Sequence, residues 1–275
     1  MRLTVLGSSG AFPGPGHACS GYVVEASGAR VVVDLGWGTL PRLFDLLGDH
    51  TGDGLDAVVI THEHPDHMAD LYGLFRARWY GRRDGQPIPL LSPAGVRERL
   101  LHDHDGHAED VTRVFDWREA PGDPLAVGAV TIESLNLPHY VPNAGVRVRA
   151  DDTVVAFTGD TGPSPRLADL GRDADLFVVD ATDRHQQADV GPAPPGTPAL
   201  NLTATEAGAA ARAAGARRLM ITHLWPGNDP ERSRRDAAES YGDDVLVARD
   251  GLVVEVAAAT GPRDQISPRP APGTA

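Results

Sequence analysis

One run of residues, Thr61-His62-Glu63-His64-Pro65-Asp66-His67, follows directly on the apolar stretch Ala57–Ile60 and constrains the chain more than any other feature in it. Imidazoles and carboxylates crowded into one turn gain little from each other and much from a shared cation. In a tight turn leaving a strand, His62 and His64 point to one side and can hold one ion. Asp66 and His67 open the following helix and can hold another. Pro65 fixes the turn and denies it a helical start before Asp66.

The rest of the chain agrees with a strand end and a helix start at that point. Short β-branched runs alternate with Ala/Leu/Arg-rich stretches almost from end to end, the pattern of sheet layers covered by helices, so the fold class is α/β. Strands are expected at Leu3–Leu6, Tyr22–Glu25, Arg30–Asp34, Ala57–Thr61, Ile88–Leu91, Ala129–Leu135, Gly145–Val148, Thr153–Thr158, Leu176–Val179, Arg218–Thr222, Val245–Ala248 and Leu252–Val256. Helices are expected at Leu40–Leu47, Asp66–Arg78, Ala94–His102, Arg166–Leu170, Thr203–Ala214 and Pro230–Tyr241. The helix from Thr203 is the clearest, because Thr203-x-x-Glu206 is a capping box. Pro192–Pro198 reads as a loop, and the proline-bearing tail Gly261–Ala275 has little to bury and is expected to be disordered.

Composition removes several chemistries. All 25 basic residues are arginine, which excludes a Walker-A phosphate loop, a lysine Schiff base and a Ser-x-x-Lys nucleophile. A net charge of −13 argues against a broad, nonspecific grip on a nucleic-acid backbone. Cys19 is the single cysteine, so there is no internal disulfide and no thiolate metal cluster. No stretch approaches the roughly 18 apolar residues of a membrane span, and Met1–Gly10 runs straight into a strand pattern, so a cytoplasmic protein is expected.

With these residues in view, the sequence resembles the metallo-β-lactamase superfamily, and within it the ribonuclease Z-like and cyclic-nucleotide phosphodiesterase-like branch, from Leu3-Thr-Val-Leu-Gly-Ser-Ser-Gly10 to the strand near Val256. The resemblance implies a four-layer αββα sandwich, one domain over 1–260, with a dinuclear metal site at a sheet edge. It also directs attention to Leu137-Pro138-His139, to Val154-Val-Ala-Phe-Thr-Gly159-Asp160-Thr161 and to Leu219-Met-Ile-Thr-His223-Leu-Trp-Pro226. The implied assignment is one metal on His62, His64 and His139, a second on Asp66, His67 and His223, and Asp160 shared between them. Nitrogen and carboxylate ligands without thiolate suit two Zn²⁺ ions, with Mn²⁺ or Fe²⁺ compatible on ligand type. Two ions about 3.5–4 Å apart can lower the pKa of a bridging water toward about 7, so no side-chain nucleophile is required. That agrees with the absence of a Gly-x-Ser-x-Gly elbow.

Asp66 and Asn201 are the candidate catalytic residues. Asn201 stands where phosphodiesterase-like relatives carry the histidine of a His-x-Thr-x-x-Glu-Ala pattern, here Asn201-Leu-Thr-Ala-Thr-Glu-Ala207. An amide can donate a hydrogen bond but supplies no proton near neutral pH. Arg78, Tyr140, Asn143 and Trp225 are the candidate substrate contacts. Arg78 belongs to a basic and aromatic patch with Arg76, Arg82, Arg83, Trp79 and Tyr80; the others sit beside implied ligands. Asp180, closing a strand, is expected to orient a ligand histidine. The run His102-Asp-His-Asp-Gly-His107 follows an Arg-rich helix and reads as a solvated loop. Gly7-x-x-Gly10 is not a dinucleotide loop, because Pro13 and Pro15 follow where a helix should begin.

The implied activity is hydrolysis of a phosphodiester or cyclic phosphodiester of a small nucleotide-like molecule. Hydrolysis of a lactone, thioester or amide in a specialised pathway is the alternative that Asn201 motivates, and a non-hydrolytic metal-binding role is a third. The partner expected is a small-molecule substrate. Transfer RNA is disfavoured by the net charge and by the lack of a long Gly/Pro-rich arm between the metal motifs, and a homodimer is expected from the resemblance alone.

Overall fold

Antiparallel pairing starts the chain, and its second and third strands are joined by a turn tight enough to fold straight back. A computed structural model describes residues 1–82, 85–104, 108–186 and 199–258. Strand β1 (Arg2–Gly7) pairs with β2 (Gly21–Ala26), which turns through Ser27 and Gly28, both at positive φ, into β3 (Ala29–Leu35). Two successive positive φ values match the right-handed twist of a hairpin. From β3 onward the sheet becomes parallel through β4 (Ala57–Val59), β5 (Ile88–Ser92) and β6 (Phe115–Glu119), with helices making the crossovers. These are α1 (Thr39–Leu47), α2 (Pro65–Gly81), α3 (Ala94–Asp103) and α4 (Ala108–Val114).

The second half repeats the plan. Strands β7 (Leu125–Val127), β8 (Val130–Leu137), β9 (Asn143–Ala150) and β10 (Thr153–Phe157) pair antiparallel; β10, β11 (Leu176–Asp180), β12 (Leu219–Thr222) and β13 (Val245–Val247) pair parallel. Helices α5 (Arg166–Leu170), α6 (Ala204–Ala214) and α7 (Pro230–Tyr241) cover this sheet. The last strand, β14 (Val253–Glu255), returns to the edge of the first sheet beside β1.

Three apolar clusters fill the spaces that this order creates. One, with Val5, Val24, Val31, Val59, Val146, Val148, Val155 and Phe157, joins the two sheets face to face. A second lies between the first sheet and α1 to α4, around Leu43, Leu71, Phe75 and Phe115. A third lies between the other sheet and α5 to α7, around Leu170, Phe177, Ala207 and Ile221. Helix, sheet, sheet, helix is the αββα sandwich, and burial of apolar area on three interfaces drives it. Helices α6 and α7 touch because Gly208 has no side chain; a Cβ there would lie 2.2 Å from the Ala237 carbonyl oxygen.

Where the sequence reading differs from the structure, local physics explains it. Helix α2 starts at Pro65 itself, with His64 as its N-cap, since a proline at the first helical position has no amide hydrogen to leave unpaired. Strand β6 is an edge strand with only Phe115 buried, and β7 is three residues with none buried, so neither gives a strong alternating signal. Helix α3 runs on through Asp103, and His104 packs on Phe75 with its Nε2 3.1 Å from Asp110 Oδ2, so this part of the His102–His107 run is not a solvated loop. Residues 105–107, the loop Pro192–Pro198 and the tail Gly261–Ala275 lie outside the described residues.

Candidate metal centre

The parallel strands of both sheets end at one place, and the chemistry-bearing residues sit just beyond those ends. His62 follows β4, His139 follows β8, Asp160 follows β10 and His223 follows β12, while His64, Asp66 and His67 cap and open α2. Two groups result, in each of which the ligand atoms lie within 4.8 Å of one another: His62, His64, His139 and Asp160, and Asp66, His67, Asp160 and His223. In the first, His64 Nδ1 is 3.1 Å from both His62 Nε2 and His139 Nε2, and Asp160 Oδ2 is 3.7 Å from His139 Nε2. In the second, His223 Nε2 is 3.1 Å from Asp66 Oδ2 and 3.3 Å from Asp160 Oδ1, and His67 Nε2 is 3.2 Å from the same Oδ1. A cation bound at about 2.0–2.1 Å in tetrahedral geometry needs ligand atoms about 3.3 Å apart. Asp160 gives one oxygen to each group.

Proton accounting tells whether these atoms are hydrogen-bonding to one another or waiting for a cation. The Thr182 hydroxyl donates to Asp180 Oδ1 at 2.6 Å, so toward His223 Nδ1, 2.9 Å away, it can only accept. The Thr61 hydroxyl donates to Asp34 Oδ2 and stands in the same relation to His62 Nδ1 at 3.1 Å. His139 Nδ1 donates to the Leu200 carbonyl at 2.7 Å, and His67 Nδ1 to Asp34 Oδ2 at 2.8 Å. In each of these four rings the outward Nδ1 therefore carries a proton, which in the neutral ring leaves the Nε2 lone pair facing inward. His67 Nε2 and Asp160 Oδ1 are buried with no hydrogen-bond partner among the described residues. Lone pairs facing lone pairs at 3 Å are repulsive unless positive charge sits between them, and the donor set fits divalent metal.

The electrostatics say the same. Burial opposes charge on His67 and His223, but the Asp160 carboxylate beside both outweighs it; His67 is held well above its ordinary value and His223 is pushed up to about 10. Burial and then the neighbouring His67 push His62 down; burial and then His139 do so for His64. Against its own burial, Asp160 is held well below the usual carboxylate range by His223 and His67. The carboxylates thus demand positive charge in a dry place, which two imidazolium protons or divalent ions can carry.

Strain collects here as well. Ala11, Asp34, Asp183 and His223 all have positive φ, which costs a residue with a Cβ roughly 1 kcal/mol or more. Gly36 lets the chain pass against α2, for a Cβ there would lie 2.0 Å from the Asp66 carbonyl oxygen. The Ala11 amide donates to Asp66 Oδ2 at 2.8 Å, so the stretch after Gly7 borders the centre.

Other residues singled out in the sequence separate sharply. Asn201 reaches the centre, but both its amide hydrogens go to carboxylates, Asp160 Oδ2 at 3.3 Å and Asp180 Oδ2 at 3.2 Å. Asp180 reaches His223 through Thr182. Tyr140 stands 58% exposed with its ring edge-on to His139 at 5.2 Å, and Trp225 packs on Phe12. Two expectations are corrected. Arg78 is no substrate contact: it is buried near the far end of α2 and spends its guanidinium on the carbonyls of Gly52 and Gln86. Asn143 is no pocket wall: it is buried and donates to the Thr158 carbonyl, bracing the strand end that carries Asp160. The basic patch is engaged with itself, Arg76 over Tyr80, Arg113 over Trp79 and Arg82 paired with Asp53; Arg83 lies outside the described residues. Cys19 is buried, its thiol pushed up to about 12 by burial and then by Asp66, so it is no nucleophile.

Sequence reasoning did not find Asp34, Thr61, Thr182 or the Leu200 carbonyl, which set the imidazole tautomers. Asp34 closes a buried strand just as Asp160 does, and that was the available signal. Replacing Asp34 by alanine frees His67 Nδ1 and the Thr61 amide and hydroxyl together. Zinc affinity, measured by chelator competition, is expected to fall by about 10–100-fold.

Comparison with known proteins places this geometry. A sequence profile for the beta-lactamase superfamily domain matches residues 18–224. A Bacillus subtilis protein named as a probable metallo-hydrolase, YhfI, is 30% identical over 261 residues, covering 93% of this chain and all of the relative. The crystal structure of YhfI superposes with a TM-score of 0.77 at 27% identity, covering 92% of this chain and 98% of that one. Ribonuclease Z of Myxococcus xanthus is 30% identical, covering 93% of this chain and 98% of the relative.

Proposed function

Because the chain belongs to the metallo-β-lactamase superfamily, in the branch that includes ribonuclease Z, and is a metal-dependent hydrolase of that fold, we propose that it cleaves a phosphodiester or cyclic phosphodiester of a small nucleotide-like substrate with two divalent ions, zinc by preference. One observation carries the two-ion reading: Asp160 turns a separate oxygen to each of two groups of converging ligand atoms. His62, His64 and His139 would hold one ion, and Asp66, His67 and His223 the other. Such ions supply, when bound, a nucleophile drawn from solvent near neutral pH and positive charge against the developing oxyanion.

The chain's own residues do the rest. Thr61, Asp34, Thr182 and the Leu200 carbonyl hold protons on the outward nitrogens, so the inward ones stay free to ligate. Asp66, kept ionised by the neighbouring histidines despite its burial, and fixed at Oδ2 by the Ala11 amide, is the carboxylate suited to orient the attacking solvent by accepting its hydrogen bond. The net charge of −13 and the lack of a long arm between the metal motifs support a small substrate over transfer RNA. Kinship with hydrolases leaves the non-hydrolytic reading without support.

Asn201 favours a second reading within the same class. With both amide hydrogens spent on Asp160 and Asp180, it has no proton to offer a leaving oxygen. A lactone or thioester, whose leaving group departs more readily, suffers least from that. Assay of zinc-loaded protein with bis(4-nitrophenyl) phosphate, a cyclic nucleotide and a lactone separates the two. Turnover of either phosphodiester is the expected result; turnover of the lactone alone gives the site to the second reading.

A further inference from the structure

Three loops that supply or hold ligands run on into side chains the metal centre does not use. Phe12 follows Ala11, whose amide is on Asp66, and the residue is 46% exposed. Trp225 lies two residues beyond His223, and Arg184 two beyond Thr182, the residue that sets the His223 tautomer. The rings of Phe12 and Trp225 meet edge to face, 6.1 Å apart at 87°, and the Arg184 guanidinium lies 5.1 Å from the centre of the Trp225 ring.

The backbone under this group is tied down. The Trp225 amide donates to the Thr182 carbonyl at 3.3 Å, and Asn228 Nδ2 donates to the carbonyls of Thr182 and Asp183 at 3.0 and 3.2 Å. The buried Asp183 carboxylate accepts from the Ala204 amide at 2.7 Å and from Gln186 Nε2 at 3.0 Å, so the turn carrying Arg184 is anchored to the start of α6. Ala11 and Asp183 are both held at positive φ. A scattered exposed aromatic needs no explanation. Here an exposed phenyl, an indole and a guanidinium converge beside the ligands, and no carboxylate pairs with Arg184 among the described residues.

We infer that Phe12, Trp225 and Arg184 form a preorganised platform for a planar heteroaromatic group of the substrate, a nucleobase being the natural instance, next to the Asp66–His223 half of the centre. The exposed Arg184 guanidinium beside the indole offers donors and a cationic π surface, and flat π systems stack on such groups in preference to water. The edge-on phenyl closes one side, so that a bound ring would lie flat while its phosphoryl end reaches Asp66, His67, Asp160 and His223. This rests on the phosphodiester reading for what occupies the metal end, and it adds what the remote end of the substrate must be.

The test uses adenosine 5′-monophosphate and ribose 5-phosphate, which share sugar and phosphate and differ in the base, titrated calorimetrically into the zinc-loaded full chain. The nucleotide is expected to bind about tenfold more tightly, the worth of one stacked base. Trp225→Ala and Arg184→Ala should each erase most of that ratio, with zinc content per chain unchanged as the control on the neighbouring ligands. Equal affinities in the wild type, absence of binding by both probes, or a ratio that survives both substitutions overturns the platform. Turnover of bis(4-nitrophenyl) phosphate by the same wild-type preparation judges the reaction separately. Hydrolysis without base preference removes the platform alone, and base preference without hydrolysis of any phosphodiester removes the reaction alone.

Discussion

Replacing Asp160 by alanine is expected to lower bound metal from two ions per chain to one or none, and to cut hydrolysis by about 10³-fold or more, at the upper end of what losing one electrostatic partner costs. Among the seven candidate ligands, Asp160 alone belongs to both groups. Its Oδ2 faces His139 Nε2 at 3.7 Å, and its Oδ1 faces His67 and His223 at 3.2 and 3.3 Å. Removing the side chain takes one ligand from each group and a carboxylate from beside two buried imidazoles. Loss of His64 would injure one group and leave the other intact, so the two variants should differ in metal content as well as in rate. Metal analysis of the purified variants together with kcat/KM on an activated phosphodiester measures both effects. Two ions retained with a near-native rate would mean that Asp160 is not shared.

How much of this was legible before the structure depends on how local each arrangement is. The turn from His62 to His67 could be read directly, since a strand end and a helix start bring its side chains together within seven residues. His139, Asp160 and His223 could not be assembled from spacing. They meet because β8, β10 and β12 of the second sheet end at the edge where β4 of the first sheet also ends, a property of topology that only the family resemblance conveyed. The partners that fix tautomers escaped because an imidazole nitrogen is served equally well by a carboxylate, a hydroxyl or a backbone carbonyl, and His139 in fact uses Leu200. Arg78 was misjudged by treating neighbours in a helix as neighbours in a site. Twelve residues at about 1.5 Å each carry it roughly 18 Å along α2 from Asp66, where it buries its charge among carbonyls. Asn143 was misjudged in the opposite sense, being close to the centre but behind it. The edge strands β6 and β7 escaped because a strand with one buried residue, or none, leaves little periodic signal.

Stripping the metal with a chelator is expected to lower the melting temperature by about 15–30 °C relative to zinc-reloaded protein, and the same geometry says why. With ions in place the inward lone pairs of His62, His64 and His139 have a common partner. Without them, His64 Nδ1 stands 3.1 Å from two other acceptors, and the second group must import protons onto His67 and His223 to balance Asp66 and Asp160. A site occupied at a thousandfold excess over its Kd stabilises the folded state by about 4 kcal/mol, and two such sites by about twice that. In a domain of this size each kcal/mol moves the midpoint by about 2–4 °C. Differential scanning calorimetry of chelated and reloaded protein reads the shift directly, and Asp160→Ala should lose most of it, because neither group is then complete. Coincident melting curves would show that the buried cluster holds itself together by hydrogen bonds, and that the inward lone pairs deduced from Thr61, Thr182, Asp34 and Leu200 carry protons after all.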